Sequence, residues 1–314
     1  MSLLYWLESI RNPVLNSVMS VITFLGGEAV FMVVALTIYW CISKKEGYYL
    51  LIVGFFGTIL SQFLKLLCQI PRPWVKDPKF TIVESARADA SGYSFPSGHT
   101  QNAVSTFGGI ARWQKQKWLR IVLIVLSILI AFSRMYLGVH TPADVGVSFL
   151  LATAMVFLFY PIVRKAAQSL KGMYLLLGVM SVFTLAFILY AGLTDFHPIS
   201  ADAKGVEEEL ACISEGLKNG YSMLGALLGF FVGYTIDCKY VNFEEKAVWW
   251  MQIIKVVGGM GLVLGIKEGL KAVFNAVGFT WLGSNIFRYF AVVLFASAIW
   301  PMIFSRFTQR RNTN

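Results

Sequence analysis

Two of the three histidines in this 314-residue chain stand among cations and a carboxylate in three short segments. In KLLCQIPRP, Lys65 is followed after six residues by Arg72-Pro73; the second segment is Pro96-Ser97-Gly98-His99; the third runs Ser133-Arg134, five residues, His140, three residues, Asp144. These residue types suit phosphoryl transfer, in which charge spread over the equatorial oxygens is met by fixed donors while nucleophile and leaving-group acid stand in line. Lys65, Arg72 and Arg134 supply positive charge, and the arginines offer forked donors that match phosphate. Pro96-Ser97-Gly98 reads as the opening of a helix. Its free N–H groups and positive dipole end favour an anion, and its glycine lets the backbone come close. His140 and Asp144 are i and i+4, on one face of a helix that Thr141-Pro142 begins. A carboxylate there can keep one imidazole nitrogen protonated and leave the other free to attack.

Elements of one kind must bring these segments together. With 57% hydrophobic residues, 14% charged and a mean hydropathy of +0.64, the chain is far from the roughly 25% charge of soluble domains and belongs in a bilayer. Runs of about 20 apolar residues predict an all-α polytopic membrane protein. Nine spans are expected, near 27–42, 48–67, 97–111, 119–133, 143–163, 173–193, 221–236, 248–270 and 286–304. The runs lack the alternation of barrel strands. The segment 1–26 carries Glu8, Arg11, Asn12 and Pro13 and reads as an interfacial amphipathic helix, a tenth span only if it crosses. The first residues show no basic stretch with a small-residue cleavage site, so no removable signal peptide is expected.

The excess of 27 Lys+Arg over 17 Asp+Glu implies basic cytoplasmic loops, not nucleic acid. Lys44 and Lys45; Arg112, Lys115, Lys117 and Arg120; Arg164, Lys165 and Lys171; Lys239 and Lys246; and Arg306, Arg310 and Arg311 fall in alternate breaks, which should be cytoplasmic together with the C-terminus. The acidic loop 195–219 and the long loop 68–95 then face outward, as do the ends that carry all three chemical segments. That outer set carries basic residues against the charge rule, and the phosphate chemistry explains the exception.

In this arrangement the three segments resemble the tripartite signature of the type 2 phosphatidic acid phosphatase family, with no departure at any signature position. The resemblance covers about half the chain, roughly residues 27–163. It implies that His140 is the nucleophile of a phosphohistidine intermediate, that Asp144 orients it, and that His99 protonates the leaving group and later activates water. It further implies a phosphate cradle of Lys65, Arg72, Arg134, the Ser97 hydroxyl and the Gly98 backbone, and a reaction that needs neither metal nor other cofactor. No carboxylate cluster is spaced for magnesium, in keeping with that. Haloperoxidase members are soluble, so that activity is not expected. The expected domains are an N-terminal helix (1–26), a phosphatase core (27–165) and an additional C-terminal bundle (166–314). The expected reaction is hydrolysis, at the outer face, of a lipid phosphate or diphosphate. Phosphatidic acid, phosphatidylglycerophosphate, polyprenyl diphosphate and sphingoid-base phosphate are candidates that the residues do not rank.

Other features have blander readings. Ser133 is expected only to bond backbone near Arg134, and His197 is a loop histidine. Cys41, Cys68 and Cys238 read as small hydrophobes, and Cys212 as a thiol in a polar loop. Lys267, Glu268, Lys271 and Arg288 lie in or beside apolar runs, where charges are functional candidates. They support a rival reading as a lipid transporter or flippase, or a hybrid in which the C-terminal bundle handles substrate entry. Gly225, Gly229 and Gly233, like Gly261, Gly265 and Gly269, repeat every four residues. Such repeats fit either internal packing or a homodimer interface.

Overall fold

A computed structural model describes residues 1–90, 92–196 and 203–309, so His197 lies outside the described residues. The chain forms eleven principal helices: α1 (Ser2–Ser9), α2 (Pro13–Phe24), α3 (Glu28–Cys41), α4 (Lys44–Cys68), α5 (98–113), α6 (Lys117–Tyr136), α7 (Pro142–Ala166), α8 (Leu170–Leu193), α9 (Ala203–Ile236), α10 (Trp249–Ala276) and α11 (Ser284–Arg306). Among the described residues seven helices are long and apolar enough to cross a membrane, and eight if α2 and α3, bent by 44°, form one broken span. The remaining expected span is α5. It is short, and five of its residues, Val104–Gly108, take a π-helical turn.

Two expectations change in detail. The outward loop expected at 195–219 is helical from Ala203 onward, because Glu, Lys and Leu in that stretch favour helix and simply extend the apolar run behind them. Cys212 consequently sits buried on α9 and not in a loop. In the N-terminal segment, Pro13 starts a new helix capped by the Asn12 side chain, which accepts from the Leu15 N–H, so 1–26 is two helices and not one.

The chain divides into two compact units. The first comprises 1–32, 56–160 and 193–216. In it Leu4 and Leu7 of α1 are fully buried with Phe80, Tyr136, Leu137 and Val139, the latter just ahead of His140. Burial of each leucine is worth about 1.5–3 kcal/mol, which fastens the 80–90 loop over the end of α6. Arg11 reinforces this by donating to the carbonyls of Tyr136 (2.9 Å) and Thr81 (2.7 Å). Ala103, Phe107 and Ile130 join α5 to α6, with Ile22 of α2 and Leu25 just after it packed against them. α6 buries Ser127, Ile130 and Arg134 on one face and exposes Ile121, Val122 and Val125 on the other, as a helix does when its outward side meets hydrocarbon.

The second unit comprises 33–55, 161–192 and 217–314. A side chain at Gly225 or Gly229 would collide with the backbone of Ile286 or Phe290, and one at Gly233 with Ser297, so this triplet serves the close approach of α9 and α11. Gly261, Gly265 and Gly269 have open space before them. Asp237 accepts from Lys44 (3.0 Å) and Tyr48 (3.1 Å), which closes the basic end of this unit. Lys267 and Glu268 lie 3.9 Å apart on an exposed face.

Candidate active site

All of the expected site residues fall in the first unit, at the ends of four helices. Lys65 occupies the last turn of α4; Arg72 follows as the cap of a four-residue turn, Pro73–Lys76. Ser97 caps α5, its hydroxyl accepting from the Thr100 N–H, and Gly98 and His99 are the first helical residues. This is the predicted helix opening. Nothing lies within 4 Å of the position a Cβ would take at Gly98, so the backbone there faces open space of the kind a phosphate oxygen needs. Arg134 closes α6, and Asp144 sits in the first turn of α7.

The geometry ties these ends together. Arg72 is 4% exposed and donates through Nε to the Gly92 carbonyl (2.9 Å) and through Nη1 to the Val139 carbonyl (2.9 Å). The same Nη1 lies 3.0 Å from His140 Nε2, which fixes a guanidinium against the ring edge expected to react. Asp144 Oδ2 is 3.7 Å from His140 Nδ1, within ion-pair reach, and accepts from Ser94 Oγ (2.5 Å) and the Thr141 N–H (2.7 Å). The Ser97 N–H donates to the Asp144 carbonyl (3.4 Å), linking the second segment to the third. Burial, and secondarily Arg72, hold the His140 imidazole well below its ordinary pKa, so it is neutral and its Nε2 lone pair accepts from Arg72. Burial first, and then the charges of Arg134, Lys65 and Arg72, lower the pKa of the His99 imidazole.

Arg134 is the most telling residue. It is wholly buried, and among the described residues its one hydrogen bond runs from Nη1 to Thr23 Oγ1 at 2.9 Å. Its Nε and Nη2 have no acceptor among the described residues. A buried guanidinium with two idle nitrogens is costly unless an anion completes it.

Several supporting residues gave no sequence signal. Ser94 is fully buried on Asp144, Thr23 comes from the segment read as interfacial, and Gly92 and Val139 act through backbone carbonyls. Gly92 has φ +66°, and any side chain there would strike Cys212 Sγ, which itself accepts from the Tyr93 N–H at 3.3 Å. Ser133 donates to the Ile130 carbonyl (2.7 Å), the backbone role expected of it. Among the described residues, no three His, Cys, Asp or Glu side chains gather closely enough to hold a metal ion.

Residues 45–168 match the family described as the PAP2 superfamily, and residues 221–312 match its phosphatase transmembrane extension. The chain is 34% identical over 155 residues to undecaprenyl-diphosphatase BcrC of Bacillus subtilis (strain 168), covering 48% of this chain and 76% of that protein. It is 30% identical over 164 residues to phosphatidylglycerophosphatase B of the same organism, covering 48% and 75%. To sphingosine-1-phosphate phosphatase 1 of Rattus norvegicus it is 27% identical over 271 residues, covering 80% of this chain and 58% of that protein. No solved structure matches. With the matched region holding all three segments, and the extension accounting for α9 to α11, the chain belongs to the PAP2 superfamily as a multi-pass membrane phosphatase.

Proposed function

We propose that the protein hydrolyses a lipid phosphate or a lipid or polyprenyl diphosphate at the outer membrane face, through a phosphohistidine and without metal. Residues 27–165 are the catalytic core, and 166–314 form the added bundle. The observation that carries this reading is the incomplete Arg134, whose missing acceptors a tetrahedral anion would supply, together with Arg72 held on His140.

In the first step His140 Nε2 attacks phosphorus, forming the N–P bond as the bond from phosphorus to the leaving oxygen breaks. His99 gives that oxygen its proton. Asp144, held by Ser94 and the Thr141 N–H, faces Nδ1 and stabilises the cation that develops on the ring. Lys65, Arg72, Arg134, the Ser97 hydroxyl and the Gly98 backbone meet the equatorial oxygens. Water then attacks the phosphohistidine, His99 takes its proton, and phosphate leaves.

The charge distribution supports the outer face. On the helices that carry the site, Lys44 and Lys45 of α4, Arg112 of α5, Lys117 and Arg120 of α6, and Arg164 and Lys165 of α7 lie at the ends away from the site residues, which supports a cytoplasmic placement for those ends. Lipid is favoured because a site at the bilayer surface receives headgroups laterally. The relatives named for undecaprenyl diphosphate, phosphatidylglycerophosphate and sphingosine-1-phosphate also point to it. The test is a panel of lipid phosphates and soluble sugar phosphates assayed with purified protein in detergent. Turnover of at least one lipid well above every sugar phosphate is expected; turnover of sugar phosphates alone would overturn the lipid assignment.

A further inference from the structure

The end of the first unit opposite the phosphate cradle holds a cavity of about 320 Å³ among α5, α6 and α7. Its wall is apolar, with Val104, Ile124, Phe149 and Val156 among the lining residues, and Arg112 and Arg120 complete it. Arg112 stands thirteen residues beyond His99 on the same helix, about 20 Å along its axis, so the cavity is separate from the catalytic cluster.

The two arginines are exposed and carry no ion pair with a carboxylate among the described residues. Arg112 is fixed by cation–π contacts, its Cζ 4.6 Å from the Tyr160 ring centroid and 5.4 Å from that of Phe157. Arg120 donates to the Gln114 carbonyl (2.6 Å), which anchors it across the turn between α5 and α6. Both guanidinium groups are therefore oriented without being neutralised. Beside them Trp118 is exposed at the start of α6, in the place an aromatic takes at the headgroup level. An apolar slot that opens between spans, with two positioned and uncompensated cations among its lining residues, matches a molecule with a hydrocarbon chain and an anionic head.

We propose that this cavity is a binding site for an anionic phospholipid of the leaflet opposite the active site. One acyl chain lies in the slot between α5, α6 and α7, and the phosphate is held by Arg112 and Arg120. The ligand is bound and not hydrolysed, since it is a phosphodiester and among the described residues no histidine lines the cavity.

The experiment is native mass spectrometry of the full chain in detergent, titrated with palmitoyl-oleoyl phosphatidylglycerol or phosphatidylcholine of the same chains. Orthovanadate is present throughout to occupy the phosphate cradle. The first phosphatidylglycerol should bind at least about tenfold more tightly than phosphatidylcholine. The double variant Arg112→Gln and Arg120→Gln should lose that preference while leaving phosphatidylcholine retention unchanged. Thr153→Phe, which fills the slot and keeps both arginines, should weaken retention of both lipids. Equal affinities in the unaltered protein, a preference that survives the double variant, or full retention in Thr153→Phe would each overturn the proposal. Because the readout is lipid retention, it succeeds or fails independently of hydrolysis at His140.

Discussion

Replacing Arg134 by methionine should make the empty protein more stable and the enzyme nearly inactive. Arg134 Nε and Nη2 are buried without acceptors, each at a cost of about 1–3 kcal/mol, while the bond to Thr23 Oγ1 returns a similar amount once. Methionine fills much the same volume and brings no charge into a site that is 0% exposed, so a net gain of about 1–4 kcal/mol is expected. Catalysis moves the other way. Loss of fixed donors to the transferring oxygens should lower kcat by about a hundredfold to a thousandfold. Thermal unfolding in detergent, with and without orthovanadate, reads both sides. The unaltered protein should gain stability when the five-coordinate mimic binds, because a ligand that binds only the folded state adds its binding free energy. The Arg134→Met variant should start higher and gain little. A variant that is less stable when empty, yet is stabilised by orthovanadate as much as the original, would refute the inference that Arg134 awaits a phosphate.

Three further outcomes follow from the same geometry. Ser94→Ala removes a buried hydrogen bond to a carboxylate, worth about 1.5–3 kcal/mol, and should lower kcat by about tenfold or more with KM within about threefold. An unchanged kcat would remove Ser94 from any positioning role. The His140 pKa is held below its ordinary value of about 6.5 by burial and Arg72, so the folded protein keeps the ring neutral as pH falls through that value. The acid limb of kcat/KM should thus lie below pH of about 6.5, and in Arg72→Met it should move upward as a repelling cation is lost; a limb that stays put would contradict that cause. The matching stability is present above the unfolded value and fades as pH falls below it. Prolonged treatment with chelator should leave hydrolysis intact, and a loss restored by magnesium would point to a different mechanism.

The elements of the site were legible because chemistry and helix punctuation coincide. Pro96-Ser97-Gly98 announces a helix start and the structure begins α5 at Gly98; Thr141-Pro142 announces another and α7 begins at Pro142. Lys65 in the last turn of α4 and Arg134 in the last turn of α6 likewise fall at helix ends. The supports were illegible for equally physical reasons. Ser94 has no periodicity or motif to separate it from any loop serine, and the carbonyls of Gly92 and Val139 belong to every residue type. Thr23 and Leu4 gain meaning only from the Arg134 side chain and the Phe80 cluster that they meet across more than 70 residues of chain. The π turn in α5 likewise has no simple residue pattern, since Val104–Gly108 reads as ordinary span. The glycine repeats were ambiguous in sequence because spacing alone does not name the partner. In the fold the α9 triplet meets α11, while the α10 triplet faces open space.

The most direct test of the central claim is to trap the covalent intermediate. Brief incubation with a substrate labelled in its terminal phosphate, followed by an alkaline quench, should leave label on the protein that is stable to base and released by acid. Peptide mapping should assign it to His140, and His140→Ala should carry none. Label on another residue, or full turnover by His140→Ala, would contradict the account.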